Sequence, residues 1–461
     1  MKKIISFLLI ILLLPFPVKP YAADDVGYIV KIKEKRHSRR YLLPDGIEEL
    51  GREKGVYFTK NKKDIEKLES LGAIEYIEPN YTVTLFSVPG DEYYADQTNM
   101  HIINVENAWD IGCYGNEVRI GVIDTGVYNH PDLIGNILPG YNYYNDNEDT
   151  TDTHGHGTLV SGLIASRRNN IGIVGAAYKA KIVPLKCFGN GVDTTLKTIV
   201  DSIYGAVDDF DCQIINMSLG MQTNTVSLSE AVDYAVSKNV IIVAAVGNDG
   251  GNKLNYPAAY DKVIGVGSVD DDKAVSSFSQ RNGSVFITAP GNEVLSLGIN
   301  DGYRRTKGTS FSTPLVAGAI AIAKCADDSL DADGIMDLLA ASSEDLGEPG
   351  YDVNYGYGLL NVQALLDRLL EDKNWFVSPI DKEEGDCSVY ILNNSDKSGA
   401  AVSIFAGFTD NRLIDAHVND IILPAKKGVF ITFGYTGDTV KHFLWSDSVY
   451  MKPLFKSRQT N

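Results

Sequence analysis

Apolar and polar positions along this chain change period several times, and each change marks a different kind of structure. Met1-Lys2-Lys3 leads into an apolar run from Ile4 to Leu14, broken only by Ser6. That run is well short of the roughly 20 apolar residues a membrane helix needs. Basic, then apolar, then small at Ala22-Ala23, it reads as a secretory signal peptide over 1–23. Gly27 to Ile32 alternates like a strand, and Asp64 to Leu71 has helical spacing. A second strand, Ala73 to Ile77, stops at Glu78-Pro79-Asn80. Strand, helix and strand in so short a stretch predict a small α+β module over 24–86.

From about Asn99 to Leu370 the apolar runs become continuous. Strands are expected at Val118–Ile123, Lys181–Leu185, Ile214–Met217 and Val240–Ala245, with helices between them at Leu196–Val207 and Ser229–Lys238. Such strands belong to a parallel sheet covered on both faces, and functional residues collect beyond the carboxyl ends of its strands. The predicted fold class over 87–370 is α/β, a mostly parallel sheet flanked by helices. After Leu370 the helical pattern stops. Ser388–Leu392, Ala401–Phe405 and Gly428–Phe433 read as short strands separated by turn material such as Asn393-Asn394-Ser395-Asp396. A small β-sandwich is expected over 378–461.

Composition and charge remove several classes of partner. The 461 residues are 44% hydrophobic and 22% charged, a globular composition long enough for about three units. A net charge of −18 argues against nucleic acid and against an anionic membrane surface, because binding phosphates needs a basic face. No segment after the leader is long and apolar enough to span a membrane, so export without a span is expected once the signal is removed. Cys113, Cys187, Cys212, Cys325 and Cys387 are too few for a disulfide scaffold and read as buried thiols.

Three motifs sit at strand ends or helix starts. Strand Val118–Ile123 runs into Asp124-Thr125-Gly126, the run Thr153-His154-Gly155-His156-Gly157-Thr158 opens an apolar helix, and Gly308-Thr309-Ser310-Phe311-Ser312-Thr313-Pro314 opens another at Leu315 to Ala323. A serine hydroxyl is a weak nucleophile until an imidazole takes its proton, and a carboxylate can fix that imidazole's tautomer. Ser310 at a helix start would place its amide and the helix dipole beside a developing oxyanion. His156 is the preferred base and His154 its rival. A metal site on the two histidines lacks a third ligand nearby.

In the order Asp, His, Ser, with separations of 32 and 154 residues, these motifs resemble the subtilisin-like serine proteases, or subtilases. The resemblance extends to Val246-Gly247-Asn248-Asp249-Gly250, similar to the family's oxyanion-asparagine motif, with Asn248 as the donor. It implies a secreted serine endopeptidase that cleaves protein and peptide substrates through an acyl-enzyme, with Asp124, His156 and Ser310 catalytic and no organic cofactor. Ser218-Leu219-Gly220 resembles one edge that pairs with substrate backbone, and Lys186-Cys187-Phe188-Gly189 the opposite edge. Asp249 would border the pocket for the residue preceding the cleaved bond.

Two further expectations come from the resemblance. The run Arg167-Arg168-Asn169-Asn170-Ile171-Gly172-Ile173 resembles the family's calcium loop. Its ligands would be the Asn169 side chain and the carbonyls of Arg167, Ile171 and Ile173, with the carboxylates of Asp132 and Asp91; hard oxygen donors of this kind suit Ca²⁺. The module at 24–86 resembles an inhibitor-type propeptide, especially at Ile74-Glu75-Tyr76-Ile77-Glu78-Pro79, which would make the enzyme's own propeptide its first partner. Phe86–Ser87 is then the expected bond of self-cleavage, favouring a large apolar residue before the cleaved bond. The competing reading is an inactive or subordinate subtilase acting as an adhesin through the C-terminal module, where Trp445 and Tyr450 could stack on a ligand.

Overall fold

A computed structural model describes residues 27–33, 43–44, 47–50, 55–80, 89–189, 191, 193–383, 386–410, 412–434, 438–445 and 458–459. The signal segment, residues 83–86 and Tyr450 lie outside the described residues. The chain divides into two compact units, Phe86–Lys373 and the two chain ends, through Leu85 and from Asn374.

The N-terminal end holds β1 (Tyr28–Ile32), β2 (Glu48–Leu50), β3 (Val56–Thr59), α1 (Lys62–Ser70) and β4 (Ile74–Pro79). They form an antiparallel sheet in the order β2-β3-β1-β4. The strand–helix–strand pattern is present, with β2 and β3 added. Glu48-Glu49-Leu50 is a short, exposed edge strand, so it carries no apolar alternation to detect. Asn61 caps α1 by accepting the Lys63 amide at 3.1 Å, and Ile65 and Leu68 bury against Val30 and Ile32.

The unit Phe86–Lys373 contains β5 (Arg119–Asp124), β6 (Tyr141–Asn142), α2 (His156–Ala165), β7 (Lys181–Lys186), α3 (Leu196–Asp208), β8 (Ile214–Met217), α4 (Val226–Ser237) and β9 (Ile241–Ala245). It continues with β10 (Val263–Val269), β11 (Ile287–Pro290), β12 (Val294–Leu297), β13 (Tyr303–Thr306), α5 (Thr309–Ala326), α6 (Ala332–Ser342) and α7 (Val362–Leu370). Seven strands pair in parallel in the order β11-β10-β9-β8-β5-β7-β6, the α/β architecture the apolar runs predict. Ile215, Met217, Ile242 and Ala244 share a core with Ile199 and Ile203 of α3 and Ala231 of α4. The alternating residues Ile214, Ile241 and Val243 are equally buried, so both faces of the sheet are covered.

Helix α5 begins six residues before the expected Leu315 and is buried at all 18 positions, packed on β8 through β11 and α2. Contrary to the expectation that no segment after the leader is long and apolar enough to span a membrane, it is the one helix among the described residues that is so by length and composition, and its apolar side chains are spent on the core of the fold. The antiparallel hairpin β12–β13 leads into it.

The C-terminal end consists of β14 (Trp375–Val377), β15 (Asp381–Glu383), β16 (Asp386–Asn393), β17 (Gly399–Thr409), β18 (Arg412–Leu423), β19 (Lys427–Gly434), β20 (Thr439–Trp445) and β21 (Arg458–Gln459). Two antiparallel sheets, one built on β16 and one ordered β18-β17-β20-β21, share a core of Val389, Ile391, Phe405, Phe433 and Leu444. The rings of Phe405 and Phe433 meet at 3.9 Å. This is the expected strand-rich region, with β17 longer than its apolar run suggests and β18 and β20 among the strands not expected.

Candidate active site

Sheet order places the site. The strand β5 lies between β7 and β8, so the chain leaves it toward opposite edges and opens a crevice beyond its carboxyl end. Asp124 ends β5, Lys186 ends β7, Ser218 follows β8, and Asn248 stands three residues beyond β9.

Asp124 is 2% exposed, and its two carboxylate oxygens lie 2.8 and 2.9 Å from Nδ1 of His156. The Thr125 amide donates to Asp124 Oδ1 at 2.7 Å and fixes the carboxylate. With Nδ1–H committed to Asp124, Nε2 of His156 is left as an acceptor. Burial by itself would lower the His156 pKa. The charge and hydrogen bond of Asp124, with a contribution from Asp152, outweigh burial and hold it above the ordinary value, while Arg304 pulls the other way. The close approach of α2 to β5 depends on Gly157, whose missing Cβ would lie 2.1 Å from the Gly126 carbonyl oxygen. The ring of His154 stands 6.4 Å from that of His156, and Asp124 pairs with His156.

A buried carboxylate that the motifs did not single out organises this corner. Asp152 is 2% exposed. Its Oδ1 accepts from Thr125 Oγ1 at 2.9 Å, the His154 amide at 2.9 Å and the Gly155 amide at 2.8 Å. Its Oδ2 accepts from the Thr158 amide at 3.0 Å and Thr158 Oγ1 at 2.6 Å. Lys186, 5% exposed, donates to the carbonyls of Thr125 and Thr151 at 2.5 and 3.0 Å. Burial lowers its pKa, opposed by Asp152, Asp149 and Asp124. The side chain of Lys186 is thus committed to the loops, which leaves only its backbone for a substrate edge.

Ser310 is the second residue of α5 and 9% exposed. Its hydroxyl donates to the Ser218 carbonyl at 3.1 Å, and Ser218 Oγ donates back to the Ser310 carbonyl at 2.8 Å. That carbonyl needs an outside donor because Pro314, one turn on, has no N–H. Asn216 Nδ2 donates to Ser218 Oγ at 3.1 Å and completes the tie between β8 and α5. Asn248 Oδ1 accepts from the Thr309 amide at 2.8 Å and its hydroxyl at 2.9 Å. A backbone N–H can only donate, so this bond fixes the amide's orientation and leaves Nδ2 as the outward donor. Gly308, at φ +145°, makes the turn into the helix beside Asn248 Nδ2.

A cavity of about 460 Å³ opens from Asp124 and His156 along Ser218, Leu219 and Gly220, with an apolar wall of Phe188, Leu196, Ile199 and Leu228. Gly189 follows Phe188, and a Cβ there would meet the Tyr144 ring at 2.8 Å. Cys187 is fully buried in the core beneath, and burial pushes its thiol up to about 12. The other four cysteines are also buried. Asp249 is exposed and accepts from Gln280 and Gln222 at 3.3 and 3.5 Å.

A second polar cluster surrounds Asp91 and Asp132, which are 5% and 0% exposed. Asp91 Oδ1 accepts from the Asn169 amide and Asp132 Oδ2 from the Ile173 amide, each at 2.9 Å. The other oxygens, Asp91 Oδ2 and Asp132 Oδ1, are buried without a hydrogen-bond partner. Asn169 Oδ1 accepts from Ile171 N at 3.1 Å, and Arg167 N donates to the Asp132 carbonyl at 2.8 Å. Burial raises both carboxyl pKa values, Asp132 to about 7, and outweighs the backbone hydrogen bonds to both and the charge of Arg168 on Asp91. The orphaned oxygens fit a hard cation, and the nearby side chains add no cluster of three or more His, Cys, Asp or Glu among the described residues.

Residues 115–358 match the Subtilase family, just over half of the chain. The chain is 37% identical over 261 residues to the Thermophilic serine proteinase of Bacillus sp. (strain AK1), covering 56% of this chain and 65% of that one. It is 32% identical over 319 residues to the Minor extracellular protease Epr of Bacillus subtilis (strain 168), covering 67% and 49%. The chain thus spans less than two thirds of the length of either relative. Among solved structures, a protease from Pseudoalteromonas arctica aligns with a TM-score of 0.57 at 28% identity, over 61% of this chain and all of that one.

Proposed function

The chain belongs to the subtilase family, and from that premise we propose that it is an endopeptidase hydrolysing peptide bonds through Ser310, His156 and Asp124. The observation that carries this reading is the carboxylate of Asp124 on Nδ1 of His156 at 2.8 Å, beside a cavity whose wall includes Ser218, to which the Ser310 hydroxyl donates at 3.1 Å. Ser310 turns about its Cα–Cβ bond from the Ser218 carbonyl toward His156 and attacks the substrate carbonyl as Nε2 takes its proton. Asp124 stabilises the imidazolium. Asn248 Nδ2, with the Ser310 amide, holds the oxyanion, and His156 returns the proton to the leaving amine. Water then cleaves the acyl-enzyme by the same route.

Substrate binds in this reading as an added strand between the backbones of Ser218–Gly220 and Lys186–Gly189, which gives affinity without demanding a sequence. The apolar wall favours an apolar side chain on the acyl side of the cleaved bond by burial at roughly 25 cal/mol per Å². Residues 24–86 act as the propeptide, cut at Phe86–Ser87, and residues 1–23 direct export. The four-stranded sheet and separate small core of the N-terminal end support the first role. Calcium is held by Asp91, Asp132, Asn169 and the carbonyls of Arg167, Ile171 and Ile173. When bound it would supply positive charge to the two carboxylate oxygens that have no hydrogen-bond partner.

Casein hydrolysis by wild type and by Ser310→Ala, His156→Ala and Asp124→Asn is the test. Each variant is expected to lose roughly three or more orders of magnitude in turnover. Equal hydrolysis by Ser310→Ala would end the reading. N-terminal sequencing of the product reads the processing bond, and the same cut in Ser310→Ala made without another protease would overturn self-cleavage.

A further inference from the structure

Asp152 makes no direct hydrogen bond to Asp124, His156 or Ser310, yet it accepts five hydrogen bonds from the elements that carry two of them. Thr125 is chain-adjacent to Asp124. His154, Gly155 and Thr158 are the turn and first helical residues on either side of His156. Thr125 Oγ1, while donating to Asp152, accepts the Gly157 amide at 2.9 Å, so one buried carboxylate ties the end of β5 directly to the first turn of α2. A carboxylate is needed here because every partner is a donor; an amide would turn its NH₂ toward an N–H or O–H. Burial of an ionised group requires this degree of hydrogen bonding and a counter-charge nearby. Lys186, buried and bonded to the carbonyls of Thr125 and Thr151, provides the charge.

We propose that Asp152 is a positioning residue for the base: its buried carboxylate sets the distance between the Asp124 carboxylate and the His156 imidazole. This rests on the assignment of His156 as base made above. The charged groups that act on His156 are Asp124 from β5, Asp152 from the loop before α2 and Arg304 from β13. His154 faces it from its own loop, Lys186 from β7 faces the same carboxylates, and Phe311 of α5 covers its ring at 5.4 Å without charge. Asp152 therefore does two separable things, holding geometry through its bonds and stabilising imidazolium through its charge.

Two variants separate these effects. Asp152→Asn removes the charge and misplaces one donor group, and is expected to lower kcat about 10- to 100-fold with KM within about 2-fold, as a displacement near 1 Å does. Its acid-limb midpoint should fall by about half a pH unit or more. Thr158→Val removes the Oγ1 bond to Asp152, together with the bond Oγ1 accepts from the Tyr128 amide at 3.0 Å, and keeps the charge, so kcat should fall several-fold with the midpoint unmoved. The His156 imidazole is titrated by ¹⁵N NMR in a Ser310→Ala background, a readout that does not depend on the protein being an active protease. A folded Asp152→Asn with wild-type kcat, or with an unshifted His156 titration, overturns the proposal. If Asp152→Asn does not fold, Thr158→Val with wild-type kcat does so. Loss of activity in wild type itself would instead count against the assigned function and leave the NMR arm intact.

Discussion

Replacing Gly157 by alanine tests whether the contact between α2 and β5 sets the rate. An ideal Cβ at position 157 would lie 2.1 Å from the Gly126 carbonyl oxygen and 3.2 Å from Asp124 Oδ1. Real Cβ contacts essentially never fall below 3.0 Å, so the two segments must part by about 0.9 Å or more. The Gly126 side cannot simply retreat. Its φ is +100°, and its own Cβ position lies 2.3 Å from the Thr150 carbonyl oxygen. The start of α2 must therefore move, taking His156 with it. The 2.8 Å bond to Asp124 would lengthen to about 3.7 Å, beyond hydrogen-bond reach. A misplacement near 1 Å is expected to lower kcat about 100-fold, with KM little changed. Overpacking should also destabilise the fold by about 1–3 kcal/mol. The assay is kcat and KM on a chromogenic peptide, normalised to folded enzyme by the acyl-enzyme burst. Gly283→Ala, with nothing within 4 Å of its Cβ, is the control for adding a methyl group. A Gly157→Ala enzyme with kcat within about 2-fold of the control would refute the argument.

The raised pKa of His156 keeps the imidazolium to higher pH than usual, and only the neutral ring is a base. Activity should therefore rise with pH through a midpoint above the ordinary imidazole value, and Asp124→Asn should move the midpoint of its residual activity down. The same shift contributes stability below the unfolded-state pKa that is lost as pH rises through the folded-state one. If Asp91 and Asp132 hold calcium, added Ca²⁺ should raise the melting temperature and excess EDTA lower it, and identical melting curves would remove the site. The Cys187 and Cys212 thiols, both pushed up to about 12 by burial, should resist a thiol reagent at pH 8 in the native enzyme and react on unfolding; prompt native labelling would contradict their burial.

The architecture was legible because apolar period reports burial directly. Strands buried on both faces show as continuous runs, and Ile214–Met217 lies in the structure where the run lies in the chain. The residues of the candidate site were legible too: Asp124, His156, Ser310 and Asn248 are marked by glycines that a tight turn or close approach demands, as at 157 and 308. Edge strands such as β2 and β18 stayed hidden, since an exposed edge carries charge rather than alternation. Helix α5 was expected to start at Leu315 because Ser, Thr and Pro disfavour helix locally. Tertiary bonds override that preference, with Thr309 held by Asn248 and the Ser310 carbonyl by Ser218. Asp152 could not be singled out, because one more aspartate among many looks like solvated surface until folding removes its water and surrounds it with donors. Periodicity and local motif chemistry are properties of neighbouring residues, and the sequence alone contains them. Which carboxylate is buried, which side chain reaches the Ser310 carbonyl that Pro314 leaves without a helical donor, and where Lys186 finds its acceptors depend on residues far apart in the chain, so only the tertiary structure decided them.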